Sequence, residues 1–141
     1  MATTRTSKTH WEGSLMEGAG SVTLESSGIG TYDVSWPARA EQPNGKTSPE
    51  ELIAAAHSAC YSMALSHALA GAGTPPQAVD TTADVSFQAG TGITGIKLTV
   101  VASVDGISAE DFEAAAQDAK ANCPVSQALT GTTIKLDAAL A

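Results

Sequence analysis

The sequence is poor in positive charge. Seven Lys and Arg stand against fifteen Asp and Glu, for a formal net charge of -8. No basic run exists along which phosphates could be neutralised, which argues against nucleic acid and anionic membrane as partners. Long apolar runs are missing too: no stretch of about 20 residues could cross a bilayer without polar interruption. The opening MATTRTSKTHWEG lacks the apolar segment of a signal peptide, so a cytoplasmic location is expected. Aromatic residues make up only 4% of the chain. Much of the apolar content is Ala, which favours closely packed helices over a large aromatic core. Only two cysteines occur, Cys60 and Cys123. In a reducing compartment a purely structural disulfide is disfavoured. With the scattered His10, His57 and His67 they match no compact zinc pattern. No metal or cofactor is expected.

What is present suits one domain over residues 1–141. At 141 residues, with 43% hydrophobic and 16% charged side chains, the chain can build a core without staples and is not disordered.

Residues 47–70, TSPEELIAAAHSACYSMALSHALA, carry the longest helical pattern. Ser48 can accept from a first-turn amide, Pro49 suits the first helical position and Glu51 completes a capping box. Glu50 adds negative charge at the positive end of the dipole. The helix should be about 30 Å long at about 1.5 Å per residue. It is apolar around most of its circumference, and one sheet cannot cover all its sides. A two-fold homodimer would complete the burial.

Ahead of this helix, short alternating stretches near His10–Glu12, Ser21–Glu25 and Thr31–Trp36 read as an antiparallel meander. Residues 37–48 read as an irregular connection, with Pro37 and Pro43 excluding a regular helix and Asn44-Gly45 marking a turn. This connection carries Arg39, one of only two arginines, either as a binding residue or paired with Glu41 at the surface. Beyond the helix, residues 79–87 and 93–105 suit a hairpin. Residues 109–121 form a second helix capped by Ser108, Cys123-Pro124 opens a third, and 132–138 close as a strand. The pattern β-β-β-α-β-β-α-α-β implies an α+β fold, its largely antiparallel sheet packed on a buried helix.

The two thiols differ in context. Cys60 is mid-helix, where the dipole gives little help, so a thiolate there needs a cation from outside its own turn. Arg39 is the best placed by context. His57 is the runner-up, or a satisfied core histidine. Cys123 stands directly before Pro124 at a helix start, where first-turn amides favour a thiolate, and should be the more accessible thiol. Inert thiols, half a metal site and a redox pair all remain open at this level.

The segments TSPEELIAAAHSACYSMALS and AKANCPVSQAL, with HWEG, the Arg39 loop, DTTADVSF and the closing strand, resemble the OsmC/Ohr family of organic hydroperoxide reductases, the OsmC branch in particular. The resemblance implies an OsmC-like, intertwined homodimeric thiol peroxidase without a cofactor. Cys60 would be the peroxidatic cysteine and Cys123 the resolving one, with Arg39 as catalytic arginine and Glu50 as its acidic partner. It also implies an organic hydroperoxide substrate and a dithiol reductant, lipoyl or a small thiol. Three positions depart from the family's frequent pattern: Ser48 for Asn, Tyr61 for Phe and Ala40 for an aromatic. The last two bear on pocket shape. Asp80 and Gln127 are candidate supporting residues, and Trp11, Tyr32 and Trp36 are expected to line a dimer core, with a substrate wall as the alternative. Glu50 and Cys60 are ten residues apart, about 15 Å along one helix. An Arg39–Glu50 pair serving Cys60 is therefore most simply supplied by the other subunit. The rival readings are an apolar-ligand carrier with passive thiols and a dimeric packing protein with buried ones.

Overall fold

The computed structural model describes residues 1–141. The chain divides into two compact units, Met1–Leu52 and Ile53–Ala141. The first holds a three-stranded meander: β1 (Lys8–Glu12), β2 (Ala19–Thr23) and β3 (Thr31–Val34), in the order β1-β2-β3 with both pairs antiparallel. Val22 is its buried apolar residue, while Trp11 and Tyr32 are exposed. These two rings do not join the core within one copy of the chain.

A short helix α1 (Trp36–Ala40) follows, where the sequence suggests an irregular connection. Pro37 lies in its first turn, where a missing N–H breaks no intrahelical bond. Ser35 caps it, its hydroxyl oxygen accepting from the Ala38 amide at 3.2 Å. Asn44 and Gly45 both take positive φ, 49° and 81°, and the Lys46 amide closes the turn on the Pro43 carbonyl at 3.0 Å. The Thr47 amide then bonds the Asp33 carbonyl at 3.0 Å, tying the start of the long helix to β3.

Helix α2 (Pro49–Gly71) begins in this first unit and runs on through the second. The Ser48 cap forms, its oxygen accepting from the Glu51 amide at 3.2 Å. The return half of the capping box does not: Glu51 Oε1 instead accepts from the Thr47 hydroxyl at 2.6 Å. Within the second unit α2 buries one residue in four, His57, Tyr61, Leu65 and Leu69, each 0% exposed. Ala55, Ala56, Ala59, Met63, His67 and Ala70 lie on uncovered faces of the helix. No helix of the chain is long and apolar enough to cross a membrane.

The second unit's sheet comprises β4 (Ala78–Gln88), β5 (Gly92–Ser103) and β6 (Ile134–Leu140), in that order. The inward residues of β4 alternate as expected, Val79 through Phe87, and Ile96, Leu98, Val100 and Ala102 of β5 are buried. While β4 and β5 pair antiparallel, β5 and β6 pair parallel. A parallel neighbour needs a crossover, supplied by α3 (Ala109–Asn122) and α4 (Pro124–Ala128). Phe112, Ala116 and Ala119 of α3 complete a core with Tyr61, Leu65, Leu69 and the β5 residues. Mixed α and β structure, with sheets and one long helix, matches the expected α+β class.

Candidate active site

Two clusters of chemistry-bearing side chains stand out, one in each unit. In the first, Arg39 in the last turn of α1 meets Glu50 in the first turn of α2. Arg39 Nε donates to Glu50 Oε1 at 3.0 Å and Nη2 donates to the same oxygen at 2.9 Å, with Oε2 at 3.3 Å from Nε. The guanidinium thus converges mainly on one oxygen. Glu50 is 6% exposed. A carboxylate so buried requires a partner, and Arg39 is that partner rather than pairing with Glu41 at the surface.

The second cluster brings Cys60 and Cys123 together from segments 63 positions apart. Their side chains lie close enough for each thiol to act on the other's ionisation. The local reason is the junction between two helices. Cys123 ends α3, its amide bonding the Ala119 carbonyl at 2.8 Å, and its extended backbone (φ -57°, ψ 123°) is the one that a following proline favours. Pro124 then starts α4. This junction sits over the core, so Cys123 is 0% exposed while Cys60 is half-buried. The expectation that Cys123 is the more accessible thiol is reversed. A helix-start position frees amides, but packing decides exposure.

Charge is distributed unequally over the pair. Burial pushes the Cys60 thiol up, and the Val125 amide only partly opposes it; the neighbouring Cys123 raises it further. Burial also works against the Cys123 thiolate. There, however, the Ser126 amide, the Cys60 thiol, the Ser126 hydroxyl and the Val125 amide together outweigh it and hold Cys123 below the usual thiol range. Of the two thiols, Cys123 is therefore the one whose surroundings favour the anion, and Cys60 the one whose surroundings favour the protonated form.

Cys60 opens onto a groove of about 540 Å³, walled on one side by Met63, Ala64 and Ala68 of α2 and on the other by Ala119 and Pro124. His67, Asp118 and Asn122 supply its few polar groups. Behind the thiols, His57 Nε2 meets Ser126 Oγ at 2.7 Å, both side chains buried. Tyr61 donates its hydroxyl hydrogen to the Ala116 carbonyl at 2.9 Å. Burial, with the nearby charges of Glu113 and Cys123, pushes this phenol well above its usual range and keeps it neutral.

Comparison with known proteins is decisive at this point. The family described as OsmC-like protein matches residues 42–137. The chain belongs to the OsmC family. It is 49% identical over 123 residues to the peroxiredoxin OsmC of Escherichia coli K12, covering 85% of each chain. It is 35% identical over 103 residues to the organic hydroperoxide resistance protein OhrA of Bacillus subtilis, covering 70% of this chain and 72% of that one. Among solved structures, an organic hydroperoxide resistance protein OsmC from Legionella pneumophila superposes with a TM-score of 0.76 at 26% identity, over 100% of this chain and 99% of that one.

Against this OsmC frame, the fold joins two pairs among the four residues singled out in the sequence: Arg39 with Glu50, and Cys60 with Cys123. Asp80 and Gln127 are exposed on β4 and α4. His57 contacts Ser126, which sequence reasoning passed over. The available signal was the spacing Cys123-Pro-Val-Ser126, which puts a hydroxyl one helical turn after the thiol.

Proposed function

We propose that the protein is a thiol peroxidase that reduces organic hydroperoxides to alcohols. The observation that carries this reading is the contact between Cys60 and Cys123 at the end of an apolar groove. The names of the relatives, peroxiredoxin and organic hydroperoxide resistance protein, support the same chemistry.

Cys60 is the thiol that meets the peroxide because it is the less buried member of the pair. In the reactive form Cys60 is the thiolate and Cys123 the thiol, and the Cys60 thiolate attacks the outer oxygen of the hydroperoxide. The O–O bond breaks and an S–O bond forms. The departing alkoxide takes the proton from Cys123 and leaves as alcohol. Cys60 is now a sulfenic acid and Cys123 a thiolate. Cys123 attacks the Cys60 sulfur, hydroxide leaves, and a disulfide forms. An external dithiol, a lipoyl group or small thiol, returns both cysteines to the reduced state by exchange and is itself oxidised to a disulfide.

Moving negative charge onto Cys60 needs a cation, and the assigned one is Arg39, held by Glu50 and supplied by the second copy of a homodimer. Glu50 and Cys60 lie about 15 Å apart along the axis of α2. The uncovered faces of α2, with Met63 at 72% exposure, suit packing against another copy. The guanidinium would stabilise the thiolate and then the developing alkoxide.

The groove's apolar walls equally suit a carrier of apolar ligands with passive thiols. Mixing the reduced protein with an alkyl hydroperoxide, and separately with hydrogen peroxide, separates the two readings. Peroxidase action consumes the alkyl peroxide faster and yields a mapped Cys60–Cys123 disulfide. Saturable binding without peroxide loss would leave only the carrier.

A further inference from the structure

We propose that His57 is a positioning residue for Cys123: through the Ser126 hydroxyl, it holds a hydrogen-bond donor on the sulfur that closes the disulfide. The inference rests on the reading of Cys123 as the resolving thiol.

The direction of the chain follows from one unpartnered atom. His57 is 0% exposed, and its Nδ1 is buried with no hydrogen-bond partner. Burial depresses its pKa and keeps the ring neutral, so one nitrogen carries the hydrogen and the other a lone pair. A hydrogen on Nδ1 would be a buried donor with nothing to bond, the rarer kind of orphan in folded proteins. The hydrogen therefore belongs on Nε2, which donates to Ser126 Oγ at 2.7 Å. With Oγ accepting from His57, the serine hydrogen cannot point back along the same line. The Cys123 sulfur, on which Ser126 Oγ acts, is the acceptor left for it. Three segments are involved: α2 supplies the imidazole, α4 the hydroxyl and the α3–α4 junction the sulfur. The other titratable groups acting on the cluster are Cys60 and Tyr61 of α2 and, through Tyr61, Glu113 of α3. A histidine kept only for packing would gain nothing from meeting the one hydroxyl that acts on the thiol.

Disulfide closure and Cys60 oxidation are followed separately after one equivalent of tert-butyl hydroperoxide. Ser126→Ala slows closure about tenfold, the size of one hydrogen bond to a charged group. His57→Leu slows it by a similar factor, and the double variant is no slower than Ser126→Ala. His57→Gln, whose amide keeps an N–H near the Nε2 position, recovers most of the rate. Cys60 oxidation changes less than twofold in all of them. Independent losses in the double variant, no recovery with Gln, or equal slowing of both steps would overturn the inference. Should the Leu variant fail to fold, Ser126→Ala together with His57→Gln carries the test.

A second measurement needs no peroxide. In a Cys60→Ser background, ultraviolet absorbance of the thiolate gives the Cys123 midpoint, which His57→Leu raises by about one pH unit. An unchanged midpoint contradicts the inference whatever the peroxide data show. A raised midpoint, with no sulfenic acid on Cys60 in the unaltered protein, overturns the peroxidase reading and leaves the His57 assignment intact.

Discussion

The Arg39–Glu50 pair and the Cys60–Cys123 pair are built in opposite ways. Arg39 and Glu50 are eleven residues apart, positioned by two adjacent helix ends and a turn at Asn44-Gly45. Each brings a full charge, and their partnership follows from local geometry. The thiols come from segments 63 residues apart, brought together by a crossover between parallel strands. Neither carries a fixed charge; the surroundings decide which is the anion. One pair is an ion pair set by local geometry; in the other, the surroundings push the two thiols in opposite directions. In the proposed mechanism the chemistry falls to the second pair, and the first, from the other copy, biases it.

Several substitutions break or sharpen this contrast. The largest effect is expected from Cys60→Ser, which should abolish peroxide turnover while leaving the fold intact. Cys123→Ser should instead allow one round of oxidation and leave a long-lived sulfenic acid, detected with a cyclic 1,3-dione probe. Next comes Arg39→Met, which leaves the buried Glu50 carboxylate unpaired. Because the guanidinium is 31% exposed, the loss of stability should be about 2 kcal/mol, below that of breaking a fully buried pair. Cys60 oxidation should fall at least tenfold. Denaturant midpoints and single-turnover rates separate the two effects. Loss of stability with an unchanged oxidation rate would make the ion pair purely structural.

Much of the fold was legible because local rules govern it. Alternation in residues 79–87 and 96–102 identified the inward faces of β4 and β5, and Ser48 and Ser108 marked two helix starts. Elsewhere local rules were insufficient. Pro37 reads as a helix breaker by local rules, yet sits in the first turn of α1, where it is tolerated. The parallel pairing of β6 is set by the crossover and leaves no mark in its own seven residues. In the candidate site, segment resemblance points to Arg39, Glu50, Cys60 and Cys123. The burial of Cys123 and the bond between His57 and Ser126 depend on packing between distant helices.

Smaller effects sharpen the second cluster. Tyr61→Phe removes the bond to the Ala116 carbonyl and should lower stability by about 1 kcal/mol, with the thiols left in place. His57 has a folded pKa below 6.5, so on acidification the unfolded chain takes up its proton first. Its contribution to stability is therefore full above about pH 6.5 and is lost as pH falls through that value toward the folded pKa. His57→Gln should flatten this part of the stability–pH curve, measured by thermal melts between about pH 5 and 7.

The most direct test of the account asks which sulfur the peroxide oxidises first, since the surroundings favour the anion on Cys123 while Cys60 is the less buried thiol. Reduced protein is mixed with less than one equivalent of an alkyl hydroperoxide in the presence of the dione probe, quenched within milliseconds and mapped by mass spectrometry. The account predicts label on Cys60 alone, giving way to a Cys60–Cys123 disulfide as the delay lengthens. Label on Cys123 first, or peroxide consumed with neither cysteine modified, would contradict it.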